Sequence, residues 1–528
     1  MAKIQLYMNV VAALSVSLLV IVADSKSLVD SFNNEVRNRK PKMSNRPSFE
    51  QYIASRESIF NAENSDNFES DVKLSPKEKR ANAVIMAAKN AELDDGLTNP
   101  QNFAPSRYFF EVLDEINKSK LFKIIRNMPK GGILHAHDTA LCSTDYLVSL
   151  TYRDNLWQCN DNSNRIVGFK FARSTPDLVD GCNWVKVADE RARVGRAEYD
   201  AHIRSNFTLN TNSTRNFSDI NDVWNEFMGL FIRFEPLVTY APVFKDYYKQ
   251  ALKEMLQDGV QYLELRVLLP PVYDLDGKIY SYVERVQLYV DGLNEFKAEN
   301  PDFIGSKFIF APLKAVPEQT ILEYIDIMTD LQRKFPEYIA GFDLVGQEDT
   351  APKLFDLAQN LLKIPDDIQF FYHAGETNWF GSIDENLVDA ILLGTKRIGH
   401  GYALSKHPQL LKLVKERDIA IEVNPLSNQV LKLVDDLRNH PAAVYLSQNV
   451  PMIISSDDPS FWGASPLSHD FYMAFLGIAS KRSDLRTLKK LATNSIKYSS
   501  LNKQEKEIAF AKWQTKWDRF IEDVIAEC

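Results

Sequence analysis

Four segments that lie far apart in this 528-residue chain share one design, in which a short apolar run ends and a histidine or an acidic residue follows at once. They are residues 131–138, 369–376, 397–401 and 451–459. A (β/α)8 barrel gives this pattern, because its catalytic side chains sit at the carboxyl ends of its strands. Eight strands close such a barrel, and the candidates are 131–135, 260–269, 307–313, 338–345, 369–373, 397–400, 420–423 and 451–455. Helical stretches separate most of them, so the sequence predicts an α/β protein built on a TIM barrel.

The first of these segments contains half of a metal site. In an extended strand the side chains at i and i+2 point to one face, so His135 and His137 can present two imidazoles to a single cation. A lone His-x-His is more often a pair of partly buried or solvated histidines. His373 and Asp457 follow two other predicted strands, and three imidazoles with one carboxylate suit Zn²⁺. The four together predict one zinc ion per chain and a barrel of the metal-dependent hydrolase type.

Three further side chains at strand ends can do acid and base chemistry. Glu376 lies three residues beyond a predicted ligand and is free to carry a proton. His400 can orient or deprotonate a bound water, and Asp458 is placed to accept a hydrogen bond from substrate. Taken singly, these residues have ordinary alternatives as a surface glutamate, a buried histidine and the cap of a turn. Their joint occurrence at successive strand ends favours an active site.

The first 23 residues predict a secretory signal peptide, with Lys3 at the positive end, an apolar run over 10–22 and Ala23 as the small residue for cleavage. An uncleaved membrane anchor is the alternative, and the shortness of the run disfavours it. We therefore expect a secreted, extracellular protein without membrane insertion. The net charge of −9 argues against nucleic acid as the main partner.

Composition divides the rest of the chain into four parts. Residues 24–127 form an N-terminal arm followed by helices, the first of which begins with a Ser75 and Glu78 capping box. Pattern leaves open whether these helices cover the bottom of the barrel or pair with another subunit. The catalytic barrel spans 128–500, with a polar surface insertion over 144–222, and a C-terminal helix spans 501–528.

Four cysteines matter in an oxidising compartment. Cys159 and Cys182 lie in one polar, turn-rich segment of the insertion and are the predicted disulfide. We expect Cys142 to be buried and free, whereas Cys528 can pair with another chain or stay unpaired. Glycosylation sequons start at four asparagines, three of them clustered in the insertion: Asn117, Asn206, Asn212 and Asn216.

The motifs Met-Pro-Lys-Gly-Gly-Ile-Leu-His-Ala-His-Asp from Met128, His-Ala-Gly-Glu-Thr from His373, Arg-Ile-Gly-His-Gly from Arg397 and Ser-Ser-Asp-Asp-Pro from Ser455 resemble those of the adenosine deaminase family. The signal peptide, the N-terminal helices, the insertion and Gly-Phe-Asp-Leu-Val-Gly-Gln-Glu-Asp from Gly341 are similar to its secreted branch, the adenosine deaminase-related growth factors. The likeness runs from about residue 75 to the C-terminus.

This resemblance implies a role for each matching residue. The zinc ligands are His135, His137, His373 and Asp457. Glu376 protonates N1 of the purine, and His400 lies beside the water that attacks C6. Gly346 gives a backbone donor to N3, Asp458 is the acceptor facing N7, and Asp138 and Trp224 are ribose-side positions. Trp224 has an alternative role in the core, because it shares helical spacing with Phe227 and Phe231.

The implied reaction is hydrolysis of adenosine to inosine and ammonia, and acceptance of 2'-deoxyadenosine stays open. The resemblance also implies a homodimer formed through the N-terminal helices. One position departs from the expected pattern: Leu313 stands where a polar or basic side chain is expected at the substrate rim, and Lys314 can substitute for it.

Two alternatives remain at this point. One is a hydrolase on the same barrel that deaminates a different purine or a pyrimidine. The other is an extracellular growth factor that acts by binding a cell-surface receptor or a glycosaminoglycan through the 144–222 insertion, without need of deamination.

Overall fold

The computed structural model describes residues 46–163, 165–177, 181–210 and 217–526. Eleven strands occur in these ranges: β1 Gly131–Ile133, β2 Leu156–Asn160, β3 Ile166–Phe171, β4 Asn183–Lys186, β5 Val260–Val267, β6 Gly305–Phe310, β7 Ile339–Phe342, β8 His373–Ala374, β9 Arg397–His400, β10 Ala420–Val423 and β11 Met452–Ile454. The signal peptide, the sequons at Asn212 and Asn216, and Cys528 lie outside the described residues.

The α-helices of the same ranges connect and surround these strands. They are α1 Phe49–Ser65, α2 Pro76–Thr98, α3 Phe109–Ile116, α4 Lys120–Asn127, α5 Thr144–Leu150, α6 Val187–Val194, α7 Arg196–Ser205, α8 Ile220–Val238, α9 Ala241–Gln257, α10 Tyr282–Glu299, α11 Glu318–Lys334, α12 Leu354–Leu361, α13 Asn386–Leu392, α14 Pro408–Glu416, α15 Pro425–Val430, α16 Ala442–Ser447, α17 Pro459–Trp462, α18 Ser468–Met473, α19 Leu485–Lys497 and α20 Lys503–Ala526. None of the helices described is long and apolar enough for a membrane span.

Eight of the strands are parallel and close into the predicted barrel. Hydrogen bonds order them as β1-β5-β6-β7 and β8-β9-β10-β11. The first seam between these sheets is closed where the Asp457 N–H donates to the His135 carbonyl at 3.1 Å. The second is closed where the Phe342 N–H donates to the Gln369 carbonyl at 2.8 Å. The TIM barrel and its eight strands are therefore confirmed.

β5 illustrates how the sequence builds the barrel wall. All eight of its residues are buried, because helices cover its outer face and the barrel interior covers its inner face. Leu263 and Leu265 alternate with Glu264 and Arg266, whose charged ends pair with residues of other barrel strands. Gly259 allows the tight turn from α9 into this strand, since its φ is +81° and a Cβ there would lie 2.4 Å from a backbone oxygen.

The chain divides into two compact units after Ser65. In the second unit, α2 begins with the predicted capping box of Ser75 and Glu78 and packs along the C-terminal helix α20. The Glu78 carboxylate accepts hydrogen bonds from Lys489 and from the indole of Trp517. The helices before the barrel therefore bury their apolar faces against their own chain. In the first unit, α1 has no buried residue.

The insertion is more ordered than its polar composition suggests. β2, β3 and β4 form an antiparallel sheet in the order β3-β2-β4, and the predicted disulfide joins Cys159 on β2 to Cys182 just before β4. Phe169 and Phe171 are buried in the same hydrophobic core as the barrel. Cys142 is buried and free, as predicted.

The two sequons inside the described residues differ in exposure. Asn117 is exposed after α3, whereas Asn206 is half-buried at the end of α7.

Candidate active site

One end of the barrel brings the predicted site residues together. His135, His137 and Asp138 follow β1, Gly346 follows β7, His373 and Glu376 lie at and after β8, His400 ends β9, Asp457 and Asp458 follow β11, and Trp224 lies on α8. All of them except His135 line one cavity at the carboxyl ends of the strands. His135 is fully buried, and its ring packs against those of His137, His373 and His400.

The backbone is strained where two of these side chains enter the cavity. His400 has φ of +59° and Asp457 has φ of +58°, a region that non-glycine residues rarely adopt. Such conformations cost about 1–3 kcal/mol each and cluster at active sites. Between the rings, Gly399 permits a close approach, since a Cβ there would lie 3.0 Å from the His135 ring and 3.2 Å from the His373 Cα.

The four predicted metal ligands converge. Nε2 of His135 and Nε2 of His137 lie 3.2 Å and 3.0 Å from the same oxygen, Oδ1 of Asp457. The ring centroid of His373 is 4.5 Å from that of His135. Possible ligand atoms of His135, His373, His400 and Asp457 all lie within 4.8 Å of one another. His400 thus belongs to the same group as these ligands, whereas the predicted ligand His137 groups with Asp457 and Asp458.

Unpartnered atoms show that this cluster fits a cation. Nε2 of His135 and Oδ1 of Asp457 are buried without a hydrogen-bond partner among the described residues. A buried polar atom left in this state costs about 1–3 kcal/mol, which a metal ion between the two would remove. Imidazole nitrogen and carboxylate oxygen are donor types that zinc takes in proteins.

Two carboxylates orient the imidazoles of His135 and His373 through the ring nitrogen Nδ1. Nδ1 of His135 lies 2.7 Å from Oε2 of Glu422, and Nδ1 of His373 lies 2.6 Å from Oδ2 of Asp343. Burial lowers the pKa of His373 to about 4, although Asp343 acts in the opposite direction. The ring is neutral at pH 7, so Nδ1–H donates to the carboxylate and the lone pair of Nε2 is directed to the metal cluster.

Two arginines hold these carboxylates in place. Arg266 donates to Asp343 at 2.8 Å and to Glu422 at 2.7 Å. Arg397 donates to the other oxygen of Glu422 at 2.6 Å and to Glu264 at 2.6 Å. Burial alone would raise the pKa of Glu422, but the two guanidinium groups and His135 hold it well below its ordinary value. The carboxylate behind His135 is therefore ionised.

Glu376 is poised as a proton donor. Burial raises its pKa well above the ordinary value, and the charges of Asp457 and Glu348 act in the same direction. Its Oε1 is buried without a hydrogen-bond partner among the described residues and lies 3.4 Å from Nδ1 of His400. Glu348 accepts hydrogen bonds from the backbone N–H groups of Gly375 and Glu376, which fixes this loop.

His400 and Asp458 differ in what they offer a substrate. Burial lowers the pKa of His400 well below its ordinary value, so the imidazole is neutral, and the Asn428 amide contacts its Nδ1 at 3.2 Å. Burial raises the pKa of Asp458 well above the ordinary value, with Asp457 and Glu376 adding to the effect. A protonated Asp458 can donate a hydrogen bond, in contrast to the acceptor role that the sequence predicts.

The cavity has a volume of about 150 Å³ and opens to solvent at its mouth. Gly346 has φ of +121° and leaves its backbone open to the cavity, with no atom within 4 Å of a Cβ built there. Leu313 lines the cavity, whereas Lys314 is buried outside the lining and acts on Glu376 only by lowering its pKa slightly against the effect of burial. Lys314 therefore does not take the place of Leu313 at the rim.

Comparison with known proteins identifies the family. A family model described as Adenosine deaminase matches residues 200–512, and one described as Adenosine/AMP deaminase N-terminal matches residues 16–125. A protein named Adenosine deaminase 2 from Homo sapiens is 43% identical over 459 residues, which are 85% of this chain and 89% of that protein. The chain belongs to the adenosine deaminase 2 family. It is therefore an enzyme of the deaminase type.

Two further relatives extend this family assignment. A protein named Adenosine deaminase from Phlebotomus duboscqi is 52% identical over 495 residues, covering 93% of this chain and 95% of that protein. Among solved structures, an amidohydrolase from Burkholderia ambifaria with bound Zn has a TM-score of 0.53 and 18% identity, and the match covers 77% of this chain and 95% of that one. The latter similarity concerns the fold alone.

Several functional positions of this deaminase were missed in the sequence. Glu422 and Asp343 orient the imidazoles, and Asn428 contacts His400. A signal was present for Glu422, which interrupts the apolar run of β10, and for Arg266, which alternates with leucines in β5. A charge in the middle of a buried strand is expected to have a partner.

Proposed function

We propose that this family member is a secreted, zinc-dependent adenosine deaminase that hydrolyses adenosine to inosine and ammonia. The observation that carries the proposal is the position of Glu376 beside a convergent set of metal-competent side chains. It is a buried acid whose pKa is raised by burial and whose Oε1 has no hydrogen-bond partner among the described residues. The names of the relatives supply the substrate, since three of them are called adenosine deaminases from different insects.

His135, His137, His373 and Asp457 are the residues that would hold the metal. Neutral imidazoles and a carboxylate favour zinc over calcium or magnesium, which prefer oxygen ligands alone. When bound, a divalent cation in this donor set supplies Lewis acidity, which makes a water molecule acidic enough to attack at neutral pH.

The remaining steps belong to side chains of the cavity. Glu376 gives its proton to N1 of the purine, which makes C6 more electrophilic. Neutral His400 can accept the proton that the attacking water loses. Asp458, protonated by burial, donates a hydrogen bond to N7, because that ring nitrogen is an acceptor. Gly346 presents its backbone at the purine edge that carries N3.

Aromatic residues of α8 close the other side of the cavity. Trp224 lines the cavity and packs edge-to-face on Phe227, whose ring stacks on Trp462 at 5.7 Å. Trp224 is a core residue that also lines the cavity, which supports its proposed place at the ribose. The apolar surface excludes water from the reacting purine.

Two features support secretion. The first 23 residues have the charge, apolar run and small residue of a signal peptide. The disulfide between Cys159 and Cys182 suits an oxidising compartment. We place the enzyme outside the cell, where it lowers the concentration of adenosine and in this way acts as a growth factor. As its assembly we propose a homodimer through the N-terminal helices, supported by the exposed Phe49, Tyr52 and Ile59 of α1.

The test uses the full chain, purified from the medium of secreting cells. Adenosine is added with and without a zinc chelator, and the absorbance change to inosine is followed while metal content is measured on the same sample. We expect turnover that the chelator abolishes and that added zinc restores. Turnover that persists in metal-free protein, or no turnover by zinc-loaded protein, would contradict the proposal.

The variant Glu376→Gln distinguishes the growth-factor alternative from signalling that depends on deamination. If signalling depends on deamination, a growth effect on responsive cells disappears with this variant. An effect that survives complete loss of turnover favours receptor or glycosaminoglycan binding by the 144–222 insertion.

A further inference from the structure

Glu235 on α8 has no role in the proposed reaction, yet it lines the same cavity. It is half-buried and lines one wall of the cavity together with Asp138, Trp224 and Phe231. Its carboxylate makes no hydrogen bond or ion pair with the part of the chain that the structure describes. A carboxylate that enters a binding cavity without a protein partner is available to a ligand.

Asp138 lies close enough to act on Glu235. Burial raises the pKa of Glu235 to about 7, the charge of Asp138 raises it further, and Arg285 partly offsets both. Asp138 differs in being fully engaged: its Oδ2 accepts from the Leu268 N–H at 3.1 Å and from the Tyr289 hydroxyl at 3.2 Å. The wall therefore has one carboxylate fixed by the protein and one that is free.

The remainder of this wall offers few acceptors to a sugar hydroxyl. Leu313 stands where the sequence predicts a polar or basic side chain, Phe227 and Phe231 are apolar, and the indole of Trp224 is a donor only. A sugar hydroxyl buried there without a partner would weaken binding about tenfold. Glu235 is an acceptor at this wall, without a partner among the described residues, that can satisfy such a hydroxyl.

Charge at this wall has a second consequence. Within the described residues, no lysine or arginine lines the cavity, while Asp138 and Glu235 both do. A phosphate group on the sugar would meet two carboxylates and no cation, and like charges at close range repel strongly in a cavity of low dielectric.

We propose that Glu235 is a specificity-determining residue, which accepts a hydrogen bond from a sugar hydroxyl of the nucleoside and, with Asp138, excludes nucleoside 5'-phosphates. This inference rests on the proposed deamination of adenosine. It assigns substrate choice to a side chain that is not among the metal-cluster or proton-transfer residues.

The experiment compares wild type, Glu235→Ala and Glu235→Gln at pH 8, where the wild-type carboxylate is ionised. Substrates are adenosine and its 2'-, 3'- and 5'-deoxy analogues, and adenosine 5'-monophosphate is tested as substrate and as competitive inhibitor. Glu323→Ala, which removes an exposed glutamate from α11, is the matched control. Thermal unfolding of each variant confirms that it is folded.

We expect Glu235→Ala to raise KM for adenosine about tenfold while kcat changes less than roughly twofold. For the one analogue that lacks the contacted hydroxyl, the variant and wild type have equal KM. Inhibition by the monophosphate strengthens about tenfold or more in both variants, because each removes a negative charge. Glu235→Gln keeps an acceptor, so its KM for adenosine rises less.

Two results have different meanings. If folded Glu235→Ala keeps the wild-type KM for adenosine and the wild-type discrimination against the monophosphate, Glu235 is a solvated wall residue and the inference is overturned. If wild type fails to deaminate adenosine at all, the proposed function fails instead.

Discussion

Two neighbouring layers of the barrel interior differ in whether their buried polar and charged groups have partners. The ion-pair layer consists of Glu264, Arg266, Asp343, Arg397 and Glu422, all of which are almost fully buried and paired with one another. The ligand layer consists of His135, Glu376, Asp457 and Asp458, each of which has a buried atom without a hydrogen-bond partner among the described residues.

This difference separates stability from activity. In the ion-pair layer each carboxylate has a guanidinium partner, so removal of one member leaves a buried charge uncompensated. In the ligand layer the unpartnered atoms are satisfied only when metal and substrate bind. The layers meet where Glu422 contacts His135. Asp343 holds His373, whose ring packs against that of His135, so the ion-pair layer also orients a neighbour of the ligand layer.

The largest effect is expected within the ligand layer, from Glu376→Gln. A glutamine cannot deliver a proton, so kcat should fall by about 10²–10⁴-fold. Stability should be unchanged or slightly higher, since the variant removes a carboxyl group that burial keeps protonated. Steady-state kinetics and thermal unfolding measure the two quantities, with Glu323→Gln as the surface control. A kcat within tenfold of wild type would mean that another group protonates the purine.

A smaller effect is expected from Glu422→Gln in the ion-pair layer, and it concerns stability and metal affinity instead of proton transfer. The variant leaves Arg266 and Arg397 with one carboxylate each and removes the charge behind His135. We expect the free energy of unfolding to fall by about 3 kcal/mol and metal affinity to fall about 10–100-fold.

Urea unfolding and metal content after dialysis check this expectation. Glu376→Gln is the matched variant, because it makes the same chemical change but should keep both stability and metal. If the two variants behaved alike in these measurements, the division into two layers would be wrong.

The sequence predicted the ligand layer because local pattern is enough to find it. Each of its residues follows an apolar run, and His135 is paired with His137 by strand alternation alone. The ion-pair layer was not predicted, because its contacts depend on closure of the barrel. Glu422 is 287 residues from His135 along the chain, and the sequence around either residue does not predict their contact.

The insertion was predicted only in part, for a different reason. Its disulfide was predicted from two cysteines in one segment. Its sheet was not predicted, although Phe169 and Phe171 belong to a mostly apolar run over 166–172. These aromatic residues are buried in the core that the insertion shares with the barrel. A short apolar run alone does not distinguish a strand from a segment of a buried helix.

Lys89 on α2 provides a reference for both layers, and its expected effect depends on pH. Its ammonium is buried with no carboxylate of the described residues in contact, and it donates to the carbonyl oxygens of Ser480 and Ser483 at 2.8 Å each. Burial lowers its pKa to about 7, which Glu69 and Asp484 only partly offset. In the unfolded chain the same group titrates near its ordinary value of 10.5.

Between these two pKa values the unfolded state binds more protons than the folded state, so the contribution of Lys89 to stability rises with pH from about 7 upward. Lys89→Met keeps the aliphatic stem and removes the titration. The difference in unfolding free energy, wild type minus variant, should therefore increase between pH 7 and 9.5, by at most about 1.4 kcal/mol per pH unit. Urea titrations at pH 6, 7, 8 and 9.5 measure it. If the difference in unfolding free energy stayed constant across this range, carbonyl oxygens alone would keep a buried ammonium charged. Buried cations would then need carboxylate partners less than the geometry of the ion-pair layer suggests.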